Sequence, residues 1–318
     1  MALPTTGRGG CDGRLGAAPP HGADGTRRPL GTFTTEQAFA QFSRNLVPRT
    51  NELRVAASRR RDVDASLRAA FSPESPMTYR GMIIIGAAAR RIDTSPLEAI
   101  DVMAVFRAAE ATDHPDRFFQ RVVSALGRYE RTEVGGFGRA LQVRFVLPPH
   151  INVAPVLQVD RGEYSLARRD GTFALVDPLR DVAWLDERDR AAGARLRPAI
   201  RALRHWNRVD NMALRAPHLE VLVATTFAAL PYGHSLADSL HRFFCWAPQH
   251  LDVGAESGPG FADYMPPGSP KRNRAIAALN RAEAAAEEAL GAEAAGDHEA
   301  AITLWHQVLG SAFSRFPE

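Results

Sequence analysis

The residues best suited to chemistry lie between two apolar runs of strand length, residues 82–85 and 102–106. Gly86 follows the first run, and a glycine there lets backbone amides come close to a phosphate group. Arg90 follows a short distance after Gly86, and Asp101 directly precedes the second run. Arginine pairs well with phosphate oxygens, and a carboxylate is a ligand that Mg²⁺ prefers. These residue types could contact a phosphate group or a metal ion, although their spacing alone assigns no ligand.

The composition narrows the class of protein. The formal net charge of the 318 residues is only +3, which does not by itself indicate nucleic-acid binding. Cys11 and Cys245 have no Cys or His partner at metal-ligand spacing, so no zinc site is predicted and two free thiols are expected. Because the sequence shows neither a membrane-spanning apolar run nor a signal peptide, we predict a cytoplasmic protein.

The residues around the candidate site show the apolar periodicities of helices and of strands. A capping-box sequence at residues 34–37 starts a helical periodicity that continues to Phe71, and Pro48 predicts a kink or a break into two helices. A further helix is predicted at residues 116–129. Short apolar runs predict strands at residues 82–85, 102–106, 141–146 and 151–156.

The pattern changes near residue 180, where amphipathic helices replace strands. They are predicted at residues 195–209, 219–230, 236–246, 271–295 and 298–310. Strands followed by helices argue for an α+β fold, with a mixed sheet and a helical C-terminal lobe. We predict a disordered tail at 1–32, which is rich in Gly, Pro and Arg, a core at 33–185 and a helical lobe at 186–318.

Residues 86–102 resemble the signature loop of the bacterial cGAS/DncV-like nucleotidyltransferases, or CD-NTases. That loop reads Gly-Ser, Arg-x-Thr, Pro-Leu and Asp-x-Asp-Val at the spacing found here, where the sequence is GAAARRIDTSPLEAIDV. Four other segments resemble motifs of the family in the same order. They are residues 42–71 (its long N-terminal helix), 151–155 (its third-carboxylate strand), 203–207 (the start of its helical lobe) and 289–317 (its C-terminal hairpin).

The resemblance implies a polymerase-β-like nucleotidyltransferase core, with the helical C-terminal lobe of OAS and cGAS. It also implies a role, because CD-NTases make cyclic di- or trinucleotides from nucleoside triphosphates in the anti-phage systems called CBASS. Their chemistry uses two Mg²⁺ ions held by three carboxylates, which clamp the attacking and leaving oxygens of the displacement. If this chain binds a metal at all, the resemblance therefore implies Mg²⁺.

The three carboxylate positions of the family fall on Ala99, Asp101 and Asn152 in this sequence. Asp101 is the remaining carboxylate of the triad and the predicted metal ligand, while Ala99 and Asn152 are degenerate positions. Glu98 could replace Ala99 only if the backbone shifted by one residue, because neighbouring side chains of an extended segment point to opposite faces. With two of three carboxylates replaced, we expect little or no catalysis.

The resemblance assigns nucleotide contacts to Gly86, Ala87, Arg90 and Arg204. Ala87 stands where the family has a serine, so a hydroxyl contact is lost. Arg204 stands at the position of a phosphate-facing lysine, and it is predicted either to contact phosphate or to form a salt bridge between the lobes. Arg91 adds bulk and charge beside the expected phosphate path, where it would crowd the loop or replace the charge of a metal.

Three functional hypotheses follow. The first is a pseudoenzyme that binds a nucleotide or a protein partner encoded in a defence operon. The second is an active cyclic oligonucleotide synthase with a rearranged metal site. The third is a nucleic-acid-binding module that uses the basic tail and the run Arg59, Arg60 and Arg61, although such a run is more often a solvated helix face. Binding of the third kind would depend steeply on salt.

Overall fold

The computed structural model describes residues 33–72, 77–108, 114–134, 138–160, 162–211, 213–252 and 265–317. The predicted tail at 1–32 lies outside the described residues. The chain begins with α1 (Thr35–Asn45), whose N-cap Thr34 forms the predicted capping box with Gln37. Helix α2 (Thr50–Ala70) follows after the predicted break at Pro48. Because proline restricts the residue before it and lacks an amide donor, the two helices separate there.

The described strands form one mixed sheet. They are β1 (Met77–Ile84), β2 (Ala99–Ala108), β3 (Glu130–Val134), β4 (Ala140–Arg144), β5 (His150–Asp160), β6 (Glu163–Ala167) and β7 (Phe173–Val176). Their order is β1-β2-β5-β4-β3, and β6 and β7 extend the sheet from the distal half of β5. Among these strands only β2 and β5 pair in parallel. The short helix α3 (Gly86–Arg90) connects β1 to the loop before β2, and α4 (Pro115–Ala125) precedes β3.

One face of the sheet is covered by α2 and α4. Residues such as Val102, Phe106, Ile151 and Val153 point to this side and are fully buried against Phe118. A second, smaller apolar cluster lies on the opposite face, around Met103 and Val156. Alternate residues of β2 and β5 thus belong to different layers, as the two-residue period of a strand requires. The polar residues of the candidate site lie on the second face.

Helices make up the rest of the described chain. They are α5 (Pro178–Ala191), α6 (Leu196–Val209), α7 (Ala216–Ala229), α8 (Leu236–Trp246), α9 (Pro270–Ala294) and α10 (His298–Leu309). Together with α1 they enclose the largest apolar cluster, in which Trp305 and Phe313 pack against Phe39. The predicted fold class, a mixed sheet with a helical C-terminal region, is confirmed. No helix of the described residues has the length and apolar character needed to cross a bilayer.

Two expectations from the sequence are corrected at this level. Helix α5 was not predicted, because its alternating Asp and Arg residues hide the weak apolar stripe that packs Leu185 into the core. The expectation of free thiols is wrong for Cys245 on α8, which takes part in a disulfide. Cys11 lies outside the described residues.

Candidate nucleotide-binding and catalytic site

The site is built on the parallel pairing of β2 with β5. The register sets Ala99 opposite His150 and Asp101 opposite Asn152. Paired residues of neighbouring strands project from the same face of a sheet, so Asp101 and Asn152 lie side by side. The residues between them, such as Ile100 and Ile151, face the apolar layer under α2 and α4 and anchor the register.

A chain of amide hydrogen bonds joins three strands at this position. The Nδ2 of Asn152 donates to Oδ1 of Asp101 at 2.8 Å, and the Nε2 of Gln142 on β4 donates to Oδ1 of Asn152 at 3.2 Å. The amide orientation follows from chemistry, since turning it over would set two oxygens against each other. Asn152 therefore presents a donor to the carboxylate, where a third acid would present another negative oxygen.

Gly86 lies directly against Asp101. Its backbone has φ +65°, and a Cβ built on it would come within 2.5 Å of Oδ2 of Asp101. The amide of Ile85 donates to the backbone carbonyl of Asp101 at 2.9 Å, which fixes the end of β1 on β2. Both the positive φ and the close approach require glycine here. Ala87, the next residue, is buried.

Arg90 and Arg204 converge on one carboxylate that the sequence analysis did not identify. Arg90 on α3 donates from Nε to Oε2 of Glu220 at 2.9 Å, and its Nη2 lies 2.7 Å from the same oxygen. Arg204 on α6 donates to Oε1 at 2.6 Å. The side chain of Glu220 on α7 is only 5% exposed. The ion pair of Arg204 therefore joins α6 to α7 within the predicted helical lobe, and the link to the core comes from Arg90, which shares Glu220.

The loop after α3 is held to α6 by further arginines. Arg197 donates from Nε to the carbonyl of Arg90 at 2.9 Å and pairs with Asp186 and Asp189. Arg201 donates to the carbonyl of Arg91 at 2.6 Å. The side chain of Arg91 is itself largely exposed, with Asp186 at 3.7 Å. The side chain of Arg91 thus extends over the surface of the loop. This position differs from the expectation that Arg91 crowds the phosphate path.

Asp93 is a second acid near the site that the sequence analysis passed over. Burial raises its pKa to about 6, and the carboxylates of Asp101 and Glu220 act in the same direction. The guanidinium groups of Arg204 and Arg201 oppose that rise. Asp93 lies in the loop between α3 and β2, so its approach to α6 depends on how the helices pack, which no local pattern in the sequence reveals.

The donor set does not fit a pair of divalent cations. Mg²⁺ requires several hard oxygen ligands in near-octahedral geometry. Among the described residues no group of three His, Cys, Asp or Glu side chains converges on one point. One oxygen of Asp101 accepts from an amide, the other lies beside Gly86, and Ala99 contributes no ligand. Of the three predicted ligand positions, only Asp101 could offer a cation a carboxylate.

Two other residues lie where they cannot contribute as hypothesised. Glu98 is exposed and precedes β2, while the register keeps Ala99 and Asp101 on one face, so no one-residue shift occurs. Arg59 is not a solvated residue of the α2 face. It donates to the carbonyls of Leu147 and Pro149 at 2.5 and 2.7 Å, and its guanidinium lies over the ring of Phe145. It closes the hairpin between β4 and β5.

The fold was compared with known proteins. No protein-family model matches the sequence. No curated protein matches either. Solved structures do match, and one is the complex of CdnC from E. coli MS115-1 with HORMA-deltaN. The TM-score is 0.66 at 16% identity, covering 88% of this chain and 98% of that one.

Two further structures show the same likeness. The CD-NTase CdnG of Bradyrhizobium diazoefficiens in complex with GTP matches with a TM-score of 0.58 at 15% identity, over 88% of this chain and 98% of that one. The cyclic AMP-GMP synthase DncV of Vibrio cholerae, bound to nonhydrolyzable GTP, matches with 0.60 at 14% identity, over 89% and 82%. This chain therefore has the nucleotidyltransferase fold of the CD-NTases, as the sequence motifs predicted.

Proposed function

We propose that this protein, which has the CD-NTase fold, is a catalytically impaired nucleotidyltransferase homologue that binds a nucleotide or a protein partner in anti-phage signalling. The single observation that carries the proposal is the hydrogen bond from Asn152 to Asp101. In place of a carboxylate cluster that would repel itself without metal, the site holds one carboxylate, Asp101, which accepts from Asn152, and Asn152 in turn accepts from Gln142.

The loss of charge argues against efficient catalysis. Electrostatic stabilisation of the developing charge is usually the largest catalytic effect, and removal of one well-placed group commonly costs about a hundredfold or more. Here two carboxylate positions are Ala99 and Asn152, and Ala87 lacks a hydroxyl. Losses within one site are not additive. Even so, a rate useful for signalling is not expected from Asp101 alone.

Retention of the fold supports a binding role. The backbone around Gly86 places α3 against β2, and Arg197 and Arg201 of α6 bind the loop that follows α3. Structures with the same fold were determined with ATP, with GTP and with a HORMA protein. Nucleotide and protein partners of these kinds are the ones we propose for this chain.

The test combines turnover with binding. Purified protein is incubated with the four labelled ribonucleoside triphosphates and Mg²⁺ or Mn²⁺, and products are separated by thin-layer chromatography. Nucleotide binding is measured in parallel by isothermal titration calorimetry. Binding without product supports the proposal. Robust product that disappears in Asp101→Ala would instead establish an active synthase, and salt-sensitive binding of DNA or RNA without nucleotide binding would favour a nucleic-acid-binding module.

A further inference from the structure

One face of α6 carries four arginines. Arg197, Arg201, Arg204 and Arg208 are four, three and four residues apart, a spacing that aligns side chains along one side of a helix. Arg197 and Arg201 bind backbone carbonyls of the loop after α3. Arg208 lies close enough to Glu98, just before β2, to feel its charge. The arginine face therefore runs along the candidate site.

The four arginines differ in how their charge is balanced. Arg197 pairs with two aspartates, and Arg204 pairs with Glu220. Among the described residues, Arg201 and Arg208 have no carboxylate within salt-bridge distance. Arg201 makes one bond to the carbonyl of Arg91, and its Nε is buried without a hydrogen-bond partner. The balanced and unbalanced residues thus alternate along the helix.

The unbalanced pair lies in an unfavourable environment. Burial lowers the pKa of both guanidinium groups, and a neighbouring arginine lowers each further, namely Arg197 for Arg201 and Arg204 for Arg208. The charges of Asp93 and Glu98 offset this only in part. A partly buried charge without a close partner is costly, and a bound anion would remove that cost.

We propose that Arg201 and Arg208 receive the phosphate chain of a nucleoside triphosphate, and that this binding needs no divalent cation. This inference rests on the proposed nucleotide binding, and it assigns that binding to the positive charges of these two residues. Seven residues of helix separate the two α-carbons by roughly 10 Å. Two guanidinium groups on side chains that start this far apart are suited to an extended anion with several phosphates. Planar guanidinium groups bind phosphate oxygens in pairs.

The same geometry gives Arg90 and Arg204 a different role from the one the family resemblance implies. Both share one counter-charge, the carboxylate of Glu220, which is 5% exposed and whose negative charge opposes an approaching phosphate. Their ion pair holds α3 against α6 and α7. It therefore positions the loop, while the neighbouring arginines are left to bind the ligand.

The test uses inorganic tripolyphosphate and ATP as probes, each titrated calorimetrically in EDTA and in Mg²⁺. The variants are Arg201→Gln and Arg208→Gln. Arg190→Gln is the matched control, because Arg190 on α5 is exposed and the substitution changes the net charge equally. Thermal unfolding is measured for every variant, and Arg201→Lys keeps a positive charge in case Arg201→Gln does not fold.

We expect both probes to bind in EDTA, with affinity within about threefold of that in Mg²⁺. Either glutamine variant should weaken it at least tenfold, the loss of about 1.4 kcal/mol.

Each contrary result overturns a different part of the proposal. If Arg208→Gln and Arg190→Gln bind ATP with equal affinity, Arg208 does not contact the phosphates and the arginine site is wrong. If ATP binds only with Mg²⁺, the claim that binding needs no divalent cation is wrong. In both cases the proposed nucleotide-binding function survives. Absence of ATP binding under every condition would overturn that function as well as the inference.

Discussion

Gly86 and Asp101 are in contact at the point where β1 turns into α3. The space that a Cβ of Gly86 would occupy is filled by the carboxylate, whose Oδ2 lies 2.5 Å from that position. The amide of Ile85 also binds the carbonyl of Asp101. The loop and the remaining acid of the site are thus fitted to each other, so neither can change without the other moving.

Substitution of Gly86 by alanine should destabilise the protein by roughly 2–4 kcal/mol, because it adds both a backbone strain at φ +65° and a clash with Asp101. Thermal or urea unfolding measures the effect. Gly291→Ala in α9 is the control: nothing lies within 4 Å of its Cβ position, and alanine in a helix should raise stability by about 0.5–1 kcal/mol. Equal midpoints for the two variants would contradict the contact.

Restoring the acids should create a metal site. In the double variant Ala99→Asp, Asn152→Asp, three carboxylates share one face of β2 and β5 and repel one another, so the protein loses stability without metal. Millimolar Mn²⁺ or Mg²⁺ should then raise its unfolding temperature by several degrees, since a ligand that binds only the folded state stabilises it. The native sequence and the uncharged control Ala99→Asn should show no such shift. A double variant that is indifferent to both metals would mean that the strands do not present the acids convergently.

Substitution of Glu220 by glutamine should cost about 3 kcal/mol or more, because it leaves Arg90 and Arg204 without their shared counter-charge in a nearly buried site. Urea unfolding is the measurement, with Glu287→Gln on the exposed side of α9 as the control, expected within about 0.5 kcal/mol of the parent. A glutamine variant as stable as that control would show that the ion pair contributes nothing to the junction.

Asp93 should make stability depend on pH. Its pKa is raised to about 6 in the folded state from 3.8, so the folded protein binds more protons than the unfolded chain between these values. Its contribution to stability is therefore present below the unfolded value and is lost as the pH rises through 6. Asp93→Asn should be more stable than the parent at pH 7 by roughly 1–3 kcal/mol. The difference should vanish near pH 4, whereas Glu187→Gln, an exposed control on α5, should show no such trend. A difference independent of pH would assign the effect to packing.

Local patterns in the sequence predicted much of the framework. The capping box at Thr34, the break at Pro48 and the helices after residue 195 are confirmed, because each depends on contacts within a few residues. The resemblance assigns Asp101 and Asn152 to one set of ligand positions, and the strand register sets these two residues opposite each other. What escaped prediction depends on contacts between distant segments. Glu220 meets Arg90 across 130 residues, and Gln142 matters only because β4 lies beside β5.

The parallel pairing of β2 with β5 also determines when the site can form during folding. Asp101 and Asn152 are 51 positions apart, and α4, β3 and β4 lie between their strands. An antiparallel hairpin such as β4–β5 closes a short loop, whereas this pair closes a longer one, and the larger entropy cost of that closure slows its formation. The hydrogen bond from Asn152 to Asp101 is therefore a marker of late folding. A chain released from the ribosome before residue 152 would carry Asp101 on a strand that can pair with β1 but not yet with β5.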